Sequence, residues 1–210
     1  MPEAGVGAGG GWRVDEGPAR AECVAVLATA FRREPAVRWI CGDSPRTPAR
    51  WFDATLRAHR TVPGSRWYVL REPDGRAVAA AVLSPPGGAP GAVARLGWSL
   101  RTALGCGPRA VRRTIRYLEA AEAAAPDDAR TLEFVGVRPE AAGQGCGGAL
   151  LRHVLDTATA DCFLTTADPA NVPLYRHLGF TVTARHHQGP LEVTAMTRPA
   201  GPAPGGPSPV

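Results

Sequence analysis

The 210-residue sequence contains no lysine, so all 24 of its basic residues are arginines. This absence excludes the phosphate loop of the Gly-x-x-x-x-Gly-Lys type, which requires a lysine. The chain also has no apolar run near the roughly 20 residues that cross a bilayer. No basic segment followed by an apolar stretch opens the sequence, which argues against a signal peptide. We therefore expect a cytoplasmic protein that does not enter a membrane.

Paired cysteines are also missing. Five cysteines are scattered along the chain without a Cys-x-x-Cys pair. An odd, irregularly spaced set argues against a disulfide framework and against a zinc site, so we expect reduced, mostly buried thiols and no metal. The densest basic stretch, Arg109 to Arg116, has no interleaved aromatic residues. It predicts a solvated helix face, with a phosphate-attracting patch as the alternative, and gives little support to nucleic-acid binding.

Both ends of the chain are rich in glycine and proline. Residues 1–11 and 199–210 can bury little apolar surface, and we expect both segments to be disordered. Hydrophobic residues make up 44% of the sequence and charged residues 20%, which is typical of a globular core. Residues 12–198 are therefore predicted to form one domain.

Helical and strand-like patterns alternate within this domain. We predict strands at 12–14, 66–70, 77–84, 131–137, 162–166, 181–187 and 192–198. We predict helices at 18–31, 49–59, 109–125, 147–160 and 172–178. A Pro-Asp-Gly turn predicts a hairpin between the second and third strands, whereas residues 85–107 carry no assignable pattern. The order predicts a mixed α/β layer with a parallel strand pair at its centre.

The segment between the strand at 131–137 and the following helix contains glycines at 143, 145, 147 and 148. The first N–H groups of a helix have no internal partners, and its dipole is positive at that end. Glycines before such an end allow a pyrophosphate to approach the backbone. Gly143, Gly145 and Gly148 also match the Gly-x-Gly-x-x-Gly dinucleotide fingerprint, but only about 60 residues follow, too few for that fold. A purely structural turn is the remaining alternative.

Two motifs in this region resemble those of the GNAT superfamily of acyl-CoA-dependent N-acyltransferases. Val137-Arg138-Pro139, followed by Ala142 to Gly147, fills the places of a strand, a Val-x-Pro turn and a Gln/Arg-x-x-Gly-x-Gly/Ala helix start. The stretch "NVPLYRHLGF" resembles the second signature, an asparagine and a tyrosine in a short helix closed by Gly-Phe. It also resembles actinomycete enzymes of the puromycin N-acetyltransferase type. Ala142 departs from the usual arginine or glutamine, and Gly148 stands where many members have arginine or serine.

The resemblance implies a GNAT fold, with a mixed central sheet whose parallel strands splay apart and are flanked by helices. It implies acetyl-CoA as the acyl donor and the primary amine of a small molecule, such as an antibiotic or a biosynthetic intermediate, as the acceptor. The protein would be a monomer or a homodimer. The residues implied for donor binding are Val135, Gly136, Val137, Ala142, Gly143, Gln144, Gly145, Cys146, Gly147, Gly148 and Asn171.

Two residues would carry the chemistry. Tyr175 is the candidate general acid for the departing thiolate, and packing beside Phe180 is its alternative role. Glu133 is the candidate general base, and a solvent-facing carboxylate is the alternative. His186 and His187 could line the acceptor cleft. Two other functions remain open, a non-catalytic acyl-CoA-binding regulatory domain and a protein or peptide N-acetyltransferase.

Overall fold

The computed structural model describes residues 11–200, which build one seven-stranded sheet with helices on both faces. The predicted disordered segments 1–11 and 199–210 lie outside these residues, apart from Gly11, Pro199 and Ala200. In chain order the elements are β1 (Arg13–Glu16), α1 (Arg20–Ala30), α2 (Pro35–Cys41), α3 (Thr47–His59), β2 (Arg66–Arg71), β3 (Ala77–Ser84), α4 (Ala92–Cys106), α5 (Pro108–Glu122), β4 (Arg130–Val137), α6 (Cys146–Asp156), β5 (Cys162–Thr166), α7 (Val172–His177), β6 (Thr181–Gln188) and β7 (Leu191–Arg198).

The strands are ordered β1-β2-β3-β4-β5-β7-β6 across the sheet. All neighbours are antiparallel except β4 and β5 at the centre. These two parallel strands pair only at their beginnings, where Arg130 and Thr131 face Cys162 and Phe163. Beyond Thr131 they no longer pair, which opens a crevice between them. The predicted mixed sheet with splayed parallel strands is confirmed.

The pairing of β3 with β4 contains a bulge beside this crevice. Val82 faces Phe134 and the next residue, Leu83, faces Leu132, so Glu133 is an extra residue on β4. A bulge bends its strand and leaves the extra residue without a partner across the sheet. Glu133 therefore lies where β4 begins to leave β5.

Two apolar layers cover the two faces of the sheet. The first contains the buried side chains of α6 and α7, among them Leu150, Leu151, Val154 and Tyr175, packed on β2 to β5. The second contains those of α1, α2, α3 and α5, packed on the opposite face of β2 to β4. Residues two apart on a regular strand share a face, so the bulge at Glu133 is what places Leu132 in the first layer and Phe134 in the second.

Two helices were not predicted from the sequence. Helix α2 is only seven residues long and begins after Glu34, whose Oε2 accepts a bond from the Val37 N–H at 2.7 Å. Helix α4 lies within the unassigned segment 85–107, and most of its large apolar residues are exposed. Its apolar residues Val93, Leu96, Leu100 and Leu104 recur with helical spacing, but the stripe that they form faces away from the core. Helix α6 ends at Asp156, four residues before its predicted end.

All five cysteines are free thiols, and four of them are buried. In the part of the chain that the structure describes, no helix has the length and apolar character that crossing a membrane requires. The same residues contain no group of three histidine, cysteine or acidic side chains placed to hold a metal ion.

Candidate active site

The glycine turn forms one wall of the crevice between β4 and β5. Gly145 is the N-cap of α6 with φ +86°, and Gly143 has φ +78°. Side chains rarely adopt these left-handed values, so the turn requires glycine at both positions. No side chain caps α6, and no atom lies within 4 Å of the place that a Cβ at Gly143 would occupy. The turn thus presents free helix amides in open space, which suits an anion.

Gly136 on β4 is required by close packing and not by a turn. A Cβ at Gly136 would lie 2.8 Å from the Ala30 Cβ and 2.9 Å from Phe31 Cε2. Gly136 on β4 therefore allows the end of α1 to lie against the sheet. Its predicted contribution to donor binding could come only from its backbone.

Two side chains that the sequence analysis did not select lie beside the turn. The Trp12 indole is 3.9 Å from the place of a Cβ at Gly145, and a guanidinium nitrogen of Arg152 is 3.4 Å from that of Gly148. Arg152 thus folds back over the first turn of α6. Its guanidinium brings a positive charge to the glycine turn, in which Ala142 stands in place of the usual arginine or glutamine. The spacing of four residues from Gly148 to Arg152 was the available signal, because residues four apart in a helix share a face.

The remaining residues of the turn differ in exposure. Ala142 and Gln144 are exposed, and the Gln144 amide donates to the Glu140 carbonyl at 3.1 Å. Cys146 is buried, and burial raises the pKa of its thiol. A protonated, enclosed thiol is a poor nucleophile, which favours the packing role for Cys146.

Tyr175 lies on the other wall of the crevice, on α7. Its side chain is only 7% exposed and its ring contacts that of Phe180 edge-on, with 5.8 Å between the centroids. Burial is the main cause that raises the pKa of Tyr175, with Glu34, Tyr117 and Asp168 adding to it. The hydroxyl makes no hydrogen bond within residues 11–200. The packing beside Phe180 is therefore present, and it leaves the hydroxyl without a structural role.

Asn171 differs from its prediction in one respect. It ends a short 3₁₀ turn, Pro169–Asn171, and precedes α7, so Asn171 and Tyr175 do not share one regular helix. Pro173 in the first turn of α7 is consistent with a helix that starts there. The Asn171 amide lies 3.5 Å from Thr166 Oγ1 at the end of β5. Asn171 therefore borders the β5 side of the crevice.

The other predicted polar residues, Glu133 on β4 and the two histidines on β6, lie on different strands of the sheet. Glu133 is half-buried in the bulge of β4 and, within the described chain, forms neither a side-chain hydrogen bond nor an ion pair. His186 and His187 lie on the edge strand β6, opposite Val193 and Glu192 of β7. Glu133 thus borders the crevice.

Two further groups, both missed in the sequence, lie near the end of β5, where Ala36 and Tyr117 pack with Ala167. Glu34 precedes α2, and Tyr117 of α5 places its hydroxyl 3.4 Å from Thr165 Oγ1 of β5. Only the Glu-Pro pair at 34–35 indicated a helix start there. Nothing in the sequence spacing relates residues 34, 117 and 175, because tertiary packing alone brings them together.

Comparison with known proteins agrees with this arrangement. Residues 112–182, which include β4, the glycine turn, α6, β5 and α7, match the acetyltransferase (GNAT) domain family. The match covers both motifs from which the fold was predicted. The chain is therefore an acyltransferase, and the fold predicted from the two motifs is confirmed.

Solved structures show how widely this acetyltransferase fold is shared. A Corynebacterium glutamicum protein of the histone acetyltransferase HPA2 and related acetyltransferase group is 22% identical, with a TM-score of 0.64 over 90% of this chain and 98% of that chain. A Drosophila melanogaster polyamine N-acetyltransferase is 16% identical, with a TM-score of 0.56 over 89% and 99%. A Sinorhizobium meliloti phosphinothricin acetyltransferase in complex with acetyl-CoA is 17% identical, with a TM-score of 0.53 over 91% and 89%.

Proposed function

We propose that this acetyltransferase transfers the acetyl group of acetyl-CoA directly to the primary amine of a small molecule. One observation carries the proposal. The crevice between β4 and β5 has a glycine turn with free helix amides on one wall and the unbonded hydroxyl of Tyr175 on the other. A donor that extends from the turn into the crevice would bring its thioester towards Tyr175.

The residues of the turn fit a pyrophosphate. The amides of residues 143–148 and the Arg152 guanidinium supply the positive ends, and Gly143 and Gly145 leave the space. Val135 to Val137 pair with β3 on one side, and their backbone groups on the β5 side could bond to the amide groups of the pantetheine arm. Asn171 could bond to the same arm from the β5 side. Arg152 supplies a charge in place of the arginine or glutamine that Ala142 replaces.

Acetyl transfer then needs a free amine, a polarised thioester carbonyl and a protonated leaving thiolate. The amine nitrogen forms the new C–N bond while the C–S bond breaks, and Tyr175 gives its proton to the sulfur. The phenol of Tyr175 is protonated throughout the neutral range even at its ordinary pKa near 10, as this acid role requires, and burial raises that pKa further. Glu133 in the bulge remains the candidate base.

Direct transfer is favoured over an acetyl-enzyme intermediate. The Cys146 thiol is buried, its pKa is raised, and no histidine bonds to it in the described residues. A ping-pong mechanism needs an exposed thiolate with a partner base. The second candidate function, a regulatory domain that only binds acyl-CoA, does not require the unbonded hydroxyl of Tyr175 on the crevice wall.

The test is release of free thiol from acetyl-CoA in the presence of single amines. The panel should contain aminonucleosides including puromycin, aminoglycosides, polyamines, amino acids and a lysine-bearing peptide, with a no-amine control. We expect amine-dependent release with at least one small amine, and mass spectrometry should identify the product as its N-acetyl derivative. Release with the peptide alone would support a peptide acetyltransferase. Tight acetyl-CoA binding without turnover on any amine would support the regulatory domain.

A further inference from the structure

Helix α4 has an apolar stripe on its outward face. The exposed fractions of its side chains are 87% for Val93, 74% for Leu96, 60% for Leu100 and 79% for Leu104. Spacings of three and four residues place these side chains on one face of the helix. The opposite face is occupied, because Trp98 packs on α3 and donates to Thr55 Oγ1 at 3.1 Å. The stripe therefore adds nothing to the core, and exposed apolar surface of this extent marks a site of interaction.

Helix α5 lies beside α4 and continues this surface. Only Gly107 separates the two helices in the chain, so they form a hairpin. A groove of about 640 Å³ runs between residues 96–103 on α4 and residues 108–119 on α5. Its lining is mostly apolar and includes three charged side chains of α5, those of Arg112, Arg116 and Glu119. The groove thus carries both signs of charge, which a surface of uniform charge cannot match.

The face that the two helices form is large enough for a stable interface. Each helix has 15 residues, so it is about 22 Å long and about 11 Å across with its side chains. The outward halves of two cylinders of this size measure about 750 Å² together. A standard protein–protein interface buries about 800 Å² on each partner. The concave groove also requires a ridged partner such as another helix pair, because a flat bilayer surface would leave it empty.

The stripe on α4 is complementary to itself when its direction is reversed. A two-fold axis through the middle of the stripe brings Leu96 opposite Leu100 of a second copy. The same axis brings Val93 opposite Leu104 of that copy. Every side chain of the stripe then faces another apolar side chain. An interface between two identical patches requires this kind of self-complementarity.

The charges on α5 are complementary in the same way. Arg112 lies three residues before Ile115 in the chain, and Glu119 lies four residues after it. A two-fold axis near Ile115 therefore places Arg112 opposite Glu119 of the second copy, with an offset of about 1.5 Å along the helix. Within one copy the two residues are about 10 Å apart along α5. Neither forms an ion pair within residues 11–200, so the second copy would supply a partner for both charges.

A single axis serves both helices. The point halfway between Leu96 and Leu100 lies nine residues before Gly107, and Ile115 lies eight residues after it. At about 1.5 Å per residue, the two points are about 13.5 Å and about 12 Å from the hairpin turn. Both points therefore lie at the same height of the hairpin, and one two-fold axis can pass both.

We propose that α4 and α5 form the interface of a symmetric homodimer, in which each helix packs antiparallel against the same helix of a second copy. The apolar stripes form the centre, and the two pairs of Arg112 with Glu119 lie at the rim, which is the usual layout of a protein interface. This inference does not depend on the proposed function, because none of the residues that line the groove belongs to the crevice between β4 and β5.

Sedimentation velocity of the full-length protein over a range of concentrations tests the dimer. We expect the mass of two chains, which falls to that of one chain on dilution. Leu100→Glu should raise the dissociation constant at least about 30-fold, because it places a carboxylate in the apolar centre of the interface. Leu174→Glu is the matched control, since Leu174 is an exposed leucine of α7 outside the interface, and this variant should dimerise as wild type does.

Circular dichroism should show that both variants remain folded, as expected for changes at exposed positions. A wild type that stays monomeric at every concentration would overturn the proposal. A folded Leu100→Glu variant that dimerises as tightly as wild type would overturn it as well.

A charge exchange tests the antiparallel register. Arg112→Glu and Glu119→Arg should each raise the dissociation constant at least about fivefold, because the two-fold axis turns each change into two pairs of like charge. The double variant restores opposite charges, so its dissociation constant should return to within about twofold of wild type. Because the two residues do not meet within one copy, only a contact between copies explains such a recovery. A double variant that is weaker than either single variant would overturn the antiparallel arrangement.

Vesicle binding distinguishes a second copy from a lipid surface. An apolar helix face flanked by arginines can also bind anionic membranes. In co-sedimentation with vesicles of phosphatidylcholine and phosphatidylserine, we expect no binding at concentrations where the protein is dimeric, because the dimer covers the stripe. A wild type that is monomeric in solution and binds these vesicles would overturn the proposal and assign the stripe to a membrane surface.

Discussion

At the residue scale, Tyr175 combines tight packing of its ring with a hydroxyl that contributes nothing to the fold. The ring is buried against Phe180, and the hydroxyl makes no bond within the described chain. A hydroxyl that no bond within the fold occupies is available to donate its proton to a ligand, which is the reason for assigning the proton transfer to Tyr175.

Tyr175→Phe keeps the ring and removes the proton. We expect kcat to fall about 100-fold, near the low end for a positioned general acid, because a thiolate is a tolerable leaving group. Acetyl-CoA affinity should not change, and the unfolding temperature should be equal to or above that of wild type. Steady-state kinetics, calorimetry and thermal unfolding measure the three quantities. A kcat equal to that of wild type would leave Tyr175 as a packing residue.

Gln144 allows the charge of the glycine turn to be changed without strain. Gly143 and Gly145 have positive φ, so replacing them would distort the turn and obscure any effect on binding. Gln144→Glu instead places a carboxylate beside the predicted pyrophosphate, and about 1 kcal/mol of repulsion would weaken acetyl-CoA binding roughly fivefold. Gln144→Met has similar size and no charge, and it should bind nearly as tightly as wild type. Equal affinities of both variants, measured calorimetrically, would argue against a pyrophosphate at this turn.

At the scale of elements, Gly136 controls how closely α1 approaches β4. We expect Gly136→Ala to destabilise the protein by ~1–3 kcal/mol, because the added carbon would lie under 3.0 Å from atoms of Ala30 and Phe31. Gly91→Ala is the matched control, since its φ is −63° and no atom would lie within 4 Å of the new carbon. Urea unfolding compares the two. A loss no larger for Gly136→Ala than for Gly91→Ala would show that α1 shifts freely.

Sequence patterns located the strands within a few residues because most of them carry continuous or alternating apolar runs. Helix α4 was missed because glycines and prolines precede and interrupt it, although Val93, Leu96 and Leu104 recur with helical spacing. Helix α2 was missed because seven residues are fewer than two full helical repeats.

The site was predictable only where its parts lie close together in the chain. The glycine turn, Asn171 and Tyr175 fall within residues 143–175 and form recognisable motifs. Tyr117 reaches Thr165 at the end of β5 from α5, and no local spacing encodes that contact. Residues that meet only through tertiary packing are therefore the part of such a site that sequence patterns do not reveal.

At the scale of the whole molecule, one arginine joins three elements at the β1 edge of the sheet. The Arg71 Nε lies 2.6 Å from an oxygen of Asp15 on β1, and its Nη1 lies 2.8 Å from an oxygen of Glu22 on α1. Hydrogen bonds from Arg71 are the main cause that lowers the pKa of both carboxyl groups. A single side chain thus ties the first strand to α1 and β2.

This arrangement predicts a dependence of stability on pH. Carboxyl groups with lowered pKa stabilise the fold above their unfolded values near pH 4, and this stabilisation is lost as pH falls through the lower folded values. Arg71→Met should therefore cost roughly 1 kcal/mol at pH 7, after allowance for partial exposure, and less at pH 2.5. Urea unfolding at the two pH values measures the difference. A cost that is the same at both would assign the effect to packing of the arginine stem.

The separation of β4 from β5 leaves two backbone edges facing each other in the middle of the sheet. Each strand still pairs on its outer side, β4 with β3 and β5 with β7. Their inner N–H and C=O groups beyond Thr131 and Phe163 are free, as on an edge strand. A linear ligand with amide groups can be recognised there by the main chain, which every amino acid shares. Side chains along the crevice can then change during evolution while the same main-chain groups continue to recognise the ligand.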